Sequence, residues 1–248
     1  MNTELTDLSA AWAPYLQRYR EGEWRDRIFR DLLADDARRM GSGSTILDIG
    51  CGRGLDGSVL LQRSIAELAD HYIGIEPDPE IPLADYFDET HHALFESAPI
   101  RPGSIDLAFA VMVLEHLPTP QCFWDKLWES LREGGVFWAM TVDGRHSFAQ
   151  ASRWADRCRL KSWYLNRLHG QRGSERYEDY PVYYRTNTPD QVRRFAGKFQ
   201  SVDCVNLSRV GQWSSYLPRP LRPLADFGDR LAIRNSRPGT LLIIRAVK

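Results

Sequence analysis

Cysteine is scarce and scattered. The 248 residues hold four, Cys51, Cys122, Cys158 and Cys204, and no two form a Cys-x-x-Cys pair. That spacing excludes a disulfide or zinc framework and predicts reduced thiols. No apolar run reaches the roughly 20 residues of a membrane span. Residues 1–9 are polar and acidic and lack the basic-then-apolar order of an export signal, so a cytoplasmic location is the expectation. Internal repeats, low-complexity tracts and dividing linkers are also missing. The expectation is therefore one domain over residues 1–248, large enough for a substantial core.

Charge is balanced overall but not along the chain. Residues 1–120 hold 10 Lys+Arg and 21 Asp+Glu, a net of −11, and the remainder holds 22 and 12, a net of +10. An acidic first half suits a cationic ligand. A basic second half suits an anionic substrate or partner, and a solvated charged surface accounts for it equally well.

The chain is organised around Ile46–Gly54, Ile-Leu-Asp-Ile-Gly-Cys-Gly-Arg-Gly. Thr45–Ile49 has the length of a buried strand. Gly50, Gly52 and Gly54 follow at alternate positions, where glycine permits positive φ and close approach of a ligand to the backbone. Asp48 lies inside the apolar strand, a costly position for a carboxylate without partners. A nicotinamide dinucleotide fingerprint, G-x-G-x-x-G, would need glycine where Leu55 stands. The observed spacing after Leu-Asp-Ile instead resembles the first motif of class I S-adenosylmethionine (SAM) methyltransferases. That resemblance implies a SAM site at Asp48, Gly50, Cys51, Gly52 and Gly54.

Around this motif the chain reads as alternating strands and helices. Residues 10–40 form an N-terminal helical segment, with Ile28, Leu32 and Leu33 as its apolar stripe, read as a packing helix or a cover for the cofactor cleft. A helix over Val59–Ala69 leads to a strand, His71–Ile75, that ends at Glu76-Pro77-Asp78. Glu76 lies 22 residues beyond Gly54, where the second strand of a βαβ unit delivers a carboxylate to ribose hydroxyls. His92–Phe95 is expected as a short third strand. Ser104–Val113 reads as a central fourth strand, and Thr119-Pro120 opens a helix that Arg132–Gly135 ends. Val136–Val142 is the fifth strand and Phe199–Val210 the sixth. A helix over Leu224–Ile233 precedes an antiparallel last strand, Leu241–Val247. The fold class expected is α/β: a doubly wound, seven-stranded, mostly parallel Rossmann-like sheet.

Asp-Leu-Ala-Phe from Asp106, Leu-Glu-His-Leu from Leu114, and Leu-Arg-Glu-Gly-Gly-Val-Phe from Leu131 sharpen the resemblance. Together they look like small-molecule SAM methyltransferases of the ubiquinone-biosynthesis O-methyltransferase type. The resemblance covers residues 45–142 and continues weakly at Tyr184–Phe199, where Thr188-x-x-Gln191 is also a capping box. It implies further cofactor contacts at Pro77, at Phe95 and Glu96 near adenine, and at Ala110, Val111 and Glu115.

The chemistry implied is in-line displacement of the SAM methyl, which needs alignment, water exclusion and, for a hydroxyl acceptor, a base. His116 and His146, past the fourth and fifth strands, are candidates, and Asp143 is a third. Some relatives bind a divalent metal through Glu-x-x-Glu-His. Here Met112 replaces the first carboxylate, and a thioether is a poor ligand for a hard cation, so no metal site is expected. Residues 144–183 are long, basic and aromatic, and read as a lid over the acceptor, helical around Phe148–Leu168. The function expected is methyl transfer from SAM, to oxygen, on a small-molecule or glycan-like acceptor. The alternative is a catalytically silent SAM-fold partner or regulatory subunit. Nucleic acid is not the expected substrate, since no Asn/Asp-Pro-Pro-Tyr/Phe motif is present, and no oligomeric state is expected from the sequence.

Overall fold

The structure is a computed structural model that describes residues 4–147, 149–150, 180–211, 220 and 222–248, with side chains from residue 11 onward. Seven strands form one sheet: β1 (Thr45–Ile49), β2 (His71–Ile75), β3 (Glu89–His91), β4 (Ile105–Val111), β5 (Leu131–Val142), β6 (Ser201–Leu207) and β7 (Leu241–Val247). Their spatial order is 3-2-1-4-5-7-6. Strand β7 runs antiparallel to both neighbours, β5 and β6, and the other adjacent pairs are parallel. The fold class is the one expected.

Both sheet faces are covered, as apolar parallel strands require. On one face Leu47, Ile49, Ala108, Ala110, Phe137 and Ala139 pack against Phe123, Trp124 and Leu127 of α4 (Pro120–Ser130) and Val192 of α5 (Pro189–Phe195). On the other, Ile46, Tyr72, Leu107, Phe109 and Trp138 meet the N-terminal helices and Ile65 of α3 (Val59–Ala66). Strand residues alternate between these two cores with period two. The N-terminal segment is two helices, α1 (Glu4–Arg20) and α2 (Arg25–Met40), broken at Glu21–Trp24. Helix α2 is tied to the sheet by the buried carboxylate of Asp36, which accepts from Trp138 Nε1 and Arg245 Nε, each at 2.8 Å. Its first residue, Arg25, clamps the glycine turn through a two-point ion pair with Asp56 at 2.6 and 2.8 Å. The segment is therefore a packing layer that also reaches the motif.

Several expected boundaries are corrected. The third strand is Glu89–His91, and Phe95–Ser97 is a 3₁₀ turn whose ring, Phe95, is drawn into the core edge-on to Phe123. Arg132–Gly135 does not end α4. Leu131 already pairs with Ile105, and the Gly-Gly step is an irregularity inside β5, where a Cβ on Gly135 would meet Ile105 O at 3.0 Å. Helix α3 stops at Ala66, and β6 is shorter than its apolar run. The last helix, α6, runs Arg222–Arg234. Thr188 caps α5 by accepting from Gln191 N, but Gln191 reaches back to Asn187 N rather than to Thr188. Most of the expected lid, including the helix around Phe148–Leu168, lies outside the described residues. Among the described residues, no helix is long and apolar enough to cross a membrane.

Candidate active site

The carboxyl ends of β1, β2 and β4 meet at the glycine turn. Gly50, Gly52 and Gly54 all have positive φ, at +73°, +46° and +117°. At Gly50 a Cβ would stand 2.5 Å from Val113 Cγ2, so only glycine lets the turn approach the β4 exit this closely. At Gly54 it would strike the Ser58 backbone at 2.6 Å, which makes this glycine a requirement of the turn before α3. Gly50 N and Cys51 N both donate to Ile75 O, which locks the turn to β2. The Cys51 side chain is buried, and its thiol is pushed well up by burial, so it contributes backbone and not a reactive sulfur.

Glu76 follows β2 and is buried. Its carboxylate accepts from Gly52 N at 2.9 Å through Oε2 and from Asp78 N at 3.0 Å through Oε1, which fixes it between the two loops. Pro77 lies exposed beside it, and a Cβ on Gly52 would lie 3.7 Å from Glu76 Oε2, in ordinary contact, so the glycine there answers to its positive φ of +46°.

Asp48 is buried beneath the turn. One oxygen accepts from Gln62 Nε2 at 2.7 Å and Tyr72 OH at 3.0 Å. Gln62 also donates to Cys51 O at 2.8 Å and accepts from Tyr86 OH. Burial raises the Asp48 pKa to about 7; the two hydrogen bonds oppose that shift and the Glu76 charge adds to it. All its donors here are neutral. Gln62, Tyr72 and Tyr86 were not legible as site residues, because nothing in an amphipathic helix or a strand marks which polar side chain turns under a loop.

The β4 exit carries Val111, Met112 in the left-handed region at φ +55°, and the 3₁₀ turn Leu114–His116. Ala110 is fully buried and pairs in register with Ile49, so the exit lies directly beside the glycine turn. Residues 180–186 form a strap across this exit. Glu115 O accepts from Tyr183 N at 2.7 Å, and Arg185 reaches Pro118 O. The buried Glu115 carboxylate accepts from Thr141 Oγ1 at 2.7 Å, which in turn accepts from Asn187 Nδ2 at 2.7 Å. Tyr180 donates to Asp78 Oδ2 at 2.9 Å and lies edge-on to the His116 ring. His116 Nδ1 is 2.9 Å from Pro181 O. A carbonyl only accepts, so Nδ1 is the donor, and in the neutral ring the lone pair is on Nε2.

The end of β5 is organised differently. Asp143 is completely buried. It accepts from Arg145 N, Arg145 Nε and Nη2, and Asn206 Nδ2, at 2.7–3.0 Å. His146 is also buried, which lowers its pKa, with Asp229 and Asp143 partly opposing the shift. Glu96 is half-buried beside the core-facing Phe95. Among the described residues no cluster of three His, Cys, Asp or Glu could hold a metal ion.

A family profile described as a methyltransferase domain matches residues 16–177. The chain belongs to this methyltransferase family. An uncharacterized methyltransferase of Mycobacterium sp. (strain KMS) is 29% identical over 124 residues, covering 44% of this chain and 47% of its own. The methyltransferase thus spans about half the length of the curated relatives it matches. Among solved structures, Haemonchus contortus phosphoethanolamine N-methyltransferase 2, in complex with phosphomonomethylethanolamine and S-adenosylhomocysteine, aligns with TM-score 0.53 and 14% identity, over 88% of this chain and 52% of that one. Geranyl diphosphate C-methyltransferase from Streptomyces coelicolor A3(2), in complex with Mg²⁺, geranyl diphosphate and S-adenosylhomocysteine, aligns with TM-score 0.54 and 13% identity, over 88% and 77%. At these identities the likeness is one of fold. Family and fold together are those of the class I SAM-dependent methyltransferases, and the cofactor of that family is SAM.

Proposed function

We propose that this chain methylates an oxygen of a small, anionic acceptor, with His116 as the base. The observation that supports the reading is the His116–Pro181 hydrogen bond, which orients the ring at the β4 exit with Nδ1 as donor, so that the neutral ring would offer Nε2 as proton acceptor. The residues fit SAM by the chemistry of their donor set. Gly50 and Gly52 offer bare backbone, Glu76 offers an oriented carboxylate to ribose hydroxyls, and the buried Asp48 supplies negative charge near a cationic ligand. Bound SAM supplies an electrophilic methyl on a positively charged sulfur. The work left to the chain is to align the acceptor, exclude water and take one proton.

His116 takes that proton at Nε2, and its imidazolium is stabilised by Pro181 O on Nδ1. Glu115 and its Thr141–Asn187 partners hold the turn that carries His116. Asp143 is left out of the chemistry because its acceptor positions are spent on Arg145 and Asn206. The N- and C-methyltransferases sharing the fold mean that the fold does not choose the acceptor atom; the choice of oxygen rests on the resemblance of residues 45–142 to O-methyltransferases, with His116 as the group to take the hydroxyl proton. The anionic acceptor rests on the basic second half of the sequence, and the lid over residues 144–183 is retained as the acceptor-binding segment.

Purified protein should bind SAM in a calorimetric titration and methylate members of a hydroxylated acceptor pool. Glu76→Ala should weaken SAM binding more than tenfold with an unchanged circular dichroism spectrum. Unchanged affinity would remove Glu76 from the site.

A further inference from the structure

Helix α6 is turned the wrong way round for a helix whose apolar side serves the core. Its inward side carries acids. Asp229 is buried and accepts from Gly211 N at 2.9 Å, and Asp226 Oδ1 is buried without a hydrogen-bond partner among the described residues. Its outward side carries Leu224, Phe227 and Leu231, which are 71%, 63% and 49% exposed. Spacings of three and four residues put these three on one stripe. Arg230 and Arg234, both exposed, follow Phe227 at i+3 and i+7 and so flank the same stripe.

We infer that this face of α6 docks the protein on an anionic membrane surface, with the three apolar side chains in the headgroup–acyl boundary and the arginines on lipid phosphates. Depth and charge both fit. An interfacial helix buries its apolar face only about 5–10 Å deep, within reach of Leu and Phe side chains. Arginine lays its stem along apolar surface while its guanidinium stays at the polar level. A second copy of the chain fits less well. Three side chains present a few hundred Å² at most, whereas a stable interface takes about 800 Å² from each partner.

The test is co-sedimentation of the full chain with vesicles of phosphatidylcholine, with and without phosphatidylglycerol. Binding to the anionic vesicles, weakened by salt, is expected. Leu224→Ser/Phe227→Ser/Leu231→Ser should lower it at least tenfold, with the circular dichroism spectrum unchanged because these side chains are exposed. Arg230→Gln and Arg234→Gln should each cost about fivefold on anionic vesicles. Three results would overturn the inference. Wild type could ignore anionic vesicles, or the triple variant could bind as tightly as wild type. Alternatively, ultracentrifugation could show a dimer that the triple variant dissociates, which would give the face to a second copy. Maleimide labelling of Phe227→Cys in lipid-free protein adds a fourth arm. Rapid labelling is expected, and protection in a monomer would assign the face to another segment of this chain.

Discussion

Two buried aspartates stand at the carboxyl edge of the same sheet, and they are used in opposite ways. Asp143, past β5, is neutralised by Arg145 and filled by a fourth donor from Asn206. Among the described residues, Asp48, in β1, is held by the neutral Gln62 and Tyr72, and burial drives its pKa up to about 7. A carboxylate compensated from within the chain is a fastener. One that is buried, oriented and met by no cation among the described residues suits a cationic ligand. Among the described residues, the carboxylate beyond β5 is matched by its own cation, whereas the one at the edge of β1, β2 and β4 meets neutral donors, as the proposed cation site requires.

The histidines repeat the contrast, and exchanging them gives the largest expected effect. His116→Asn should lower kcat by roughly 10²–10⁴ and leave the KM for SAM unchanged, since a positioned base contributes that much. His146→Asn, at the β5 edge, should leave kcat within about threefold. Steady-state kinetics on any accepted substrate separates the two, and reversed magnitudes would move the base to the β5 edge.

A smaller effect, on stability rather than chemistry, is expected at Asp143. Asp143→Ala should cost about 2–3 kcal/mol, below the roughly 3–5 kcal/mol of a fully buried pair, because the Arg145 side chain is 42% exposed. Thermal unfolding should show a Tm lowered by about 5–10 °C. SAM affinity below that transition should not change; a loss of affinity without loss of stability would make Asp143 a ligand.

Much of the edge at β1, β2 and β4 was legible in the sequence and little of the edge beyond β5. The glycine spacing, Asp48 and Glu76 are local: they depend on a strand, a turn and one crossover, and three successive elements suffice to place them. The position of His116 was legible for the same reason, since it directly follows β4. Its hydrogen-bond partner was not, because Pro181 lies 65 residues away and reaches it through the strap. Asp143 shows why adjacency to a strand end is not enough. Its role is set by Asn206 on β6, brought near through β7 by antiparallel pairing that no local pattern specifies. Phe95 was misplaced because a run of three apolar residues, Ala93–Phe95, does not distinguish a strand from a turn whose ring drops into the core.

The central claim is that the edge at β1, β2 and β4 binds a cation with Asp48 as its buried counter-charge, and pH tests it most directly. The folded pKa of Asp48 is raised above its unfolded value, so the unliganded protein favours the protonated form as pH falls below about 7. A cationic ligand favours the ionised form, so binding must expel that proton, and affinity should fall with pH. Calorimetric titration with SAM between about pH 5.5 and 8 should show wild-type affinity rising through pH 7, by up to about tenfold per unit on the acid side. Asp48→Asn should bind more weakly at pH 8 and lose that slope. A wild-type affinity that is flat with pH, or a slope that survives in Asp48→Asn, would contradict the account.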